Sequence, residues 1–247
     1  MADARACLVA ATGWLMVAAS GMPAGAAESS ASTLLRLAGR HVKWGPPDYG
    51  SGAEVTYAFL DAPRSFPGAR NCREMQALDP LLRSSTIEPA AFTAEVRLAF
   101  AVWSAAAALR FIEIADADQA DILIGAQSSS DGAAFANVVE TRAPRGAVGT
   151  IEQATVCLDP AVPWELAIDG NPKTYNVRYV MAHEIGHTIG LDHAGRAGGL
   201  MGFAYLERMA SVEEVRLVAA DIAAVTQLYG PVRSLLADGS AQTPDPE

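Results

Sequence analysis

Apolar and polar residues alternate along this chain in two rhythms, and the change of rhythm divides it. Glu54-Val55-Thr56-Tyr57-Ala58-Phe59-Leu60 keeps a period of two, which predicts a half-buried strand. Leu109 to Ile114, Asp121 to Gly125 and Thr150 to Leu158 are apolar runs of strand length, and Ala133 to Val139 is a weaker one. From Glu88 to Ala108 the rhythm turns helical. Phe92, Val96, Phe100 and Trp103 fall on one face, Pro89 suits a first turn, and Thr86 is the expected N-cap. That stripe reads as a core face. A second helix is predicted from Tyr175 to Ile189. Ser211 and Glu214 form a capping box for a third, which ends near Tyr229-Gly230.

Between these runs the chain is punctuated. Pro63, Pro67, Gly68, Asn71 and Pro80 break up the stretch from Asp61 to Ser85, so residues 62–86 read as a long surface loop or insertion. Asp159 to Lys173 reads as loop, residues 27–40 as a short lead-in, and residues 231–247 as a flexible tail. Strands with one helix, followed by two helices, predict an α+β class and a single domain over residues 41–230 with a mixed sheet.

Composition adds little to the fold and more to the setting. With 51% hydrophobic residues among 247, the chain has enough apolar material for a sizeable core. A net charge of −10 argues against a nucleic-acid partner. Cys7 to Ala19 is apolar but too short to span a bilayer, and Ala24-Gly25-Ala26 has the small-x-small form of a signal-peptidase site. Residues 1–26 therefore read as a signal peptide, although Arg5 is a weak basic start; the alternative is an ordinary buried apolar segment. Export, secreted or periplasmic, is the expectation. No later stretch is long and apolar enough for a membrane span. Loss of the leader leaves Cys72 and Cys157, the number for one disulfide in an oxidising compartment. Two unpaired cysteines are the other reading, since sequence does not supply their separation.

The chemistry concentrates in His183-Glu184-Ile185-Gly186-His187-Thr188-Ile189-Gly190-Leu191-Asp192-His193, which holds three of the four histidines. His183 and His187 are four apart, so on a helix both imidazoles leave one face within reach of one ion. A continuing helix would carry His193 about 15 Å further along the axis. The chain must turn back, and Gly190 is the residue most at ease in a left-handed helix-ending conformation. Three neutral imidazoles leave a zinc ion one open position for water, and Glu184 stands beside them as the general base for peptide-bond hydrolysis. A lone His-Glu-x-x-His recurs by chance as a helix with ordinary polar residues. Gly190, His193 and Met201 in register argue against that here.

The extended motif resembles the metzincin metallopeptidases, and among them the matrixins, the family of the matrix metalloproteinases. Leu200-Met201-Gly202-Phe203-Ala204-Tyr205 is similar to their Met-turn, with Tyr four residues after Met rather than the two of astacins and serralysins. Val42-Lys43-Trp44, Ala99 to Ser104, Ala120-Asp121-Ile122, Asp221-Ile222 and Gln227 to Gly230 extend the likeness over most of residues 42–230. The resemblance implies a metzincin-like domain with a twisted, mixed, mainly parallel sheet, three main helices and a Met-turn below the zinc site. Met201 would floor the histidines. Phe203, Ala204 and Tyr205 would wall the substrate pocket, and the Ala133–Val139 strand would pair with an extended substrate.

There are departures. The family's second, structural zinc needs three histidines, and only His41 remains, so a single catalytic zinc is expected. Cys157 stands about where one of those histidines would be. Asp159 keeps one carboxylate near the family's calcium position, but Val162 replaces its acidic partner, so calcium is not expected although Asp159 leaves room for it. Arg70-Asn71-Cys72-Arg73 is not the family's Pro-Arg-Cys-Gly latch, and Cys72 as a zinc ligand in a resting form is the lesser alternative to a disulfide. The implied partner is a protein or peptide substrate of a monomeric enzyme. A zinc-bearing binding protein without turnover, or a processing peptidase of narrow specificity, remain the alternatives.

Overall fold

The computed structural model describes residues 33–129, 132–141, 148–167, 173–194, 199–202 and 215–232. Within them the chain forms β1 (Thr33–Leu34), β2 (Arg36–Leu37), β3 (Arg40–Lys43), β4 (Ala53–Phe59), β5 (Arg64–Ser65), β6 (Glu74–Gln76), α1 (Asp79–Ser85) and α2 (Pro89–Ser104). There follow β7 (Leu109–Glu113), β8 (Ile122–Gln127), β9 (Ala134–Glu140), β10 (Gly149–Leu158), β11 (Trp164–Glu165), β12 (Tyr175–Asn176), α3 (Val177–Thr188), β13 (Leu191–Asp192) and α4 (Ala219–Tyr229).

β8 is buried along its whole length, and a strand with no wet face belongs inside a sheet covered on both sides. It lies between β10 and β4 in the order β2-β3-β10-β8-β4-β7. Every pairing from β3 to β7 along this path is parallel; β2, β6 and β9 add antiparallel pairings, β9 along β10. The architecture is α+β, with a mixed and mainly parallel sheet, three main helices and the short α1. Alternation along the strands splits the apolar residues between two faces. Ile122, Ile124, Ala154 and Val156 join the core shared with the helices, while Leu123 and Cys157 join a smaller cluster with Met75 on the opposite face. Phe92, Val96, Phe100 and Trp103 are all buried, each burial contributing about 1.5–3 kcal/mol.

Four readings differ from expectation. Residues 62–86 carry a β5–β6 hairpin and α1, and Met75 and Leu81 are fully buried. Too few apolar residues lie between the prolines to set a period. Thr86 is not the N-cap of α2. It closes α1 in a left-handed conformation (φ 56°), and Glu88 takes the N-cap position. The last helix begins only at Ala219, after non-helical residues 215–218; Ser211 and Glu214 lie outside the described residues. The Asp159–Lys173 loop contains β11, which pairs with β12.

Candidate active site

α3 begins where the Asn176 side-chain oxygen accepts the Tyr179 amide at 3.0 Å, filling one orphan donor of the first turn. Its flank is fixed against α2. Trp103 donates its indole N–H to the Ala182 carbonyl at 2.8 Å, and the Arg178 guanidinium grips Glu95 through two bonds of 2.6 and 3.0 Å. A Cβ on Gly186 would crowd both Met201 Sδ and the Trp103 ring, so glycine lets both pack against the helix here without displacement.

The far end of α3 is closed by residues distant in sequence. The Thr188 carbonyl accepts the Trp44 indole N–H at 2.7 Å, and the Ile189 carbonyl accepts the Tyr229 hydroxyl at 2.9 Å. Gly190 then turns the chain at φ 93°, its backbone pressed so close to Val42 that a Cβ would lie 2.1 Å from the Val42 carbonyl oxygen. These partners replace the next helical turn, and the chain doubles back into β13 with His193 just beyond.

The turn brings His193 to the first two histidines. His183 Nε2 lies 3.2 Å from His187 Nε2 and 3.3 Å from His193 Nε2. His183 Nδ1 faces the Leu200 carbonyl at 2.6 Å, and His187 Nδ1 faces the Leu191 carbonyl at 2.9 Å. A carbonyl only accepts, so each of these Nδ1 atoms carries the hydrogen and the Nε2 lone pairs are left pointing at one another. That crowding is unfavourable unless a cation lies between them. A tetrahedral zinc with bonds of about 2.0–2.1 Å holds its nitrogen ligands about 3.3 Å apart, which both distances from His183 match, and all three candidate ligand atoms lie within 4.8 Å of one another. Burial lowers the pKa of all three imidazoles, His187 to about 3, which keeps them in the neutral form a metal needs.

Glu184 is 8% exposed and opens onto a cleft of 290 Å³ that His183 and His193 also line. Burial pushes its carboxyl up to about 8, opposed by a hydrogen bond from the Ala136 amide of β9; a divalent cation alongside pulls in the same direction as that amide. Phe135, Tyr175, Val180 and Gly202 complete much of the lining. Met201 is fully buried, and its carbonyl accepts the Ala194 amide at 2.8 Å, tying the Met-turn to the residue after His193. Asp221 of α4, also fully buried, accepts the Leu200 amide at 3.0 Å.

A family model described as Matrixin matches residues 81–230, more than half of the chain. The chain belongs to the matrixin family. Similar proteins include the metalloendoproteinase 1-MMP of Arabidopsis thaliana, 32% identical over 154 residues. The interstitial collagenase of Sus scrofa is 29% identical over 156 residues, and the hatching enzyme of Paracentrotus lividus 31% over 144. These alignments take in 60%, 60% and 55% of this chain but 41%, 30% and 22% of the relatives, so the chain spans less than half of their length.

In this matrixin the sequence motif and the structure meet at His183, Glu184, His187, His193 and Met201, which lie together. Phe203, Ala204 and Tyr205 lie outside the described residues. Cys72 and Cys157 are joined in a disulfide, which removes both the unpaired reading and Cys72 as a zinc ligand. Among the described residues no other group of histidine, cysteine or carboxylate side chains converges as the three histidines do. His41 is elsewhere, its Nδ1 2.5 Å from the Tyr49 hydroxyl. Sequence reasoning missed Ala136, Leu191 and Leu200, which act through backbone atoms and leave no side-chain signature. It also missed Asp221 as a partner of the Met-turn, and Val180, one turn before His183, where the helical period alone points it to the same face.

Proposed function

We propose that this matrixin is an exported zinc-dependent endopeptidase that hydrolyses peptide bonds with Glu184 as general base. The observation that carries the reading is the convergence of three imidazoles, with the Nε2 lone pairs of His183 and His187 turned inward, beside a buried carboxylate at the mouth of an open cleft. His183, His187 and His193 would hold one zinc, with their Nδ1–H groups or chain neighbours anchored to backbone. When bound, zinc supplies the positive charge that acidifies a water and draws electrons from a scissile carbonyl.

The rest is done by the chain. Glu184 takes the water's proton, its carboxylate aimed by the Ala136 amide. In its buried setting it holds that proton until the leaving nitrogen accepts it. β9 pairs only with β10 among the described strands, so an extended peptide would add along its other edge, across the cleft. Val180 and Tyr175 supply apolar wall, and we assign Phe203, Ala204 and Tyr205 to the same pocket. No helix among the described residues is long and apolar enough to cross a membrane. Residues 1–26 act as the export signal in this reading, and the enzyme works as a monomer.

Replacing Glu184 by Ala leaves zinc stoichiometry at one and reduces cleavage of a denatured protein by about 10²- to 10⁴-fold, the usual span for a lost general base. Equal cleavage by wild type and variant would sink the mechanism. Zinc uptake with no cleavage by either protein would point instead to a binding protein.

A further inference from the structure

Among the described strands β9 is an edge strand, and one face of it is covered by the insertion at residues 62–86. Two independent links hold the tip of the β5–β6 hairpin there. Cys72 is bonded to Cys157, which stands opposite Phe135 in the β9–β10 ladder, with the two cysteine Cα atoms 6.4 Å apart. Beside it, the Asn137 amide clamps the Asn71 backbone from both sides: its Oδ1 accepts the Asn71 N–H at 3.1 Å and its Nδ2 donates to the Asn71 carbonyl at 2.9 Å. Phe66 and Phe135 pack with Cys72 against the apolar cluster of Leu123, Met75 and Cys157.

Asn137, which the clamp holds directly, and Phe135, which packs beside the bridge opposite Cys157 of β10, flank Ala136. Its side of the strand is the one that faces α3, since neighbouring side chains alternate across a sheet and Val156, its ladder partner, belongs to the helix-side core. The Ala136 amide is the group that meets Glu184, and Phe135 lines the cleft. An unsupported edge strand is free to shift or fray. This one is backed at both neighbours of its functional residue, by hydrogen bonds at Asn137 and by packing against the bridged cluster at Phe135.

Resting on the peptidase reading above, we propose that the hairpin insertion is a brace that fixes the register and position of β9 for substrate, with Asn137 and the Cys72–Cys157 bridge as positioning residues. None of them touches the three histidines. The brace therefore acts on peptide binding along β9 and leaves metal binding alone.

Two variants of the full chain test this: Asn137→Ala, which keeps the disulfide, and Cys72→Ser with Cys157→Ser, which keeps the amide clamp. Zinc affinity is measured by chelator competition. Inhibition constants are measured for a peptide hydroxamate, which lies along β9, and for acetohydroxamate, which reaches only the metal. Both variants should bind zinc and acetohydroxamate like wild type while the peptide hydroxamate weakens about tenfold or more, with kcat/KM falling in parallel. Unchanged peptide hydroxamate binding in either folded variant overturns the brace. So does an equal loss for both hydroxamates, which would mean general damage to the site. A wild-type chain that takes up no zinc overturns the peptidase reading instead.

Discussion

Gly186 has no side chain, yet the histidine helix can lie on the Met-turn only because of it. Adding one methyl group drives a carbon into Met201 Sδ and the Trp103 ring. The methionine can swing aside, but the tryptophan is pinned by its bond to Ala182. Gly186→Ala should cost about 1–3 kcal/mol, read as a lower urea midpoint with an unchanged m-value. The histidines give a sharper contrast. His187→Ala should lose tight zinc binding, whereas His41→Ala should keep it, as measured by metal content after dialysis. His183 and His187 were legible in the sequence as candidate ligands because a helix converts a four-residue interval into a shared face. Ala136, Leu191 and Leu200 were not, because their N–H or C=O groups do the work and nearly every residue type supplies those.

Elements show the same division. The α2 stripe of Phe92, Val96, Phe100 and Trp103 announces itself, since four large apolar residues at helical intervals have one sensible burial. The β5–β6 hairpin and α1 do not. They dock through isolated residues such as Met75 and Leu81 among prolines, and their partners lie tens of residues away in β8 and β10. Thr86 was misplaced for the same reason: an unseen helix has no visible end. The close of α3 depends on contacts of this long-range kind. Tyr229 donates to the Ile189 carbonyl and accepts the Trp44 amide at 3.0 Å. Tyr229→Phe strands two buried backbone groups, so a loss of about 1–3 kcal/mol per group is expected, together with weaker zinc retention in chelator competition.

For the whole molecule, Lys43 sets a measurable dependence on pH. It is fully buried, donates to the carbonyls of Trp44 and Pro46 at 2.8 and 2.7 Å, and lies 4.9 Å from the centre of the Tyr229 ring. Burial lowers its pKa to about 8 against the ordinary 10.5, with Asp48 pulling weakly the other way. Between those values the unfolded chain binds a proton that the folded chain has released, so stability rises with pH from about 8 towards 10. Above that, Tyr57, Tyr179 and Tyr229, whose pKa values burial raises, reverse the trend because the folded state then holds the extra protons. Urea midpoints taken across pH 7.5–10 should climb for wild type and lie flat for Lys43→Met; a flat wild-type curve would contradict the assignment.

The closure of α3 by Trp44 on one side and Tyr229 on the other also fixes when the site can first exist during synthesis. A ribosome makes Trp44 early, the three histidines much later, and Tyr229 after all of them. Until Tyr229 and Asp221 leave the exit tunnel, the Ile189 carbonyl and the Leu200 amide lack their partners, and the arc that returns His193 to the other two imidazoles is unsupported. A nascent chain stalled before α4 carries all three histidines but lacks these two contacts. The histidine cluster therefore waits for its last supports on the final helix of the domain.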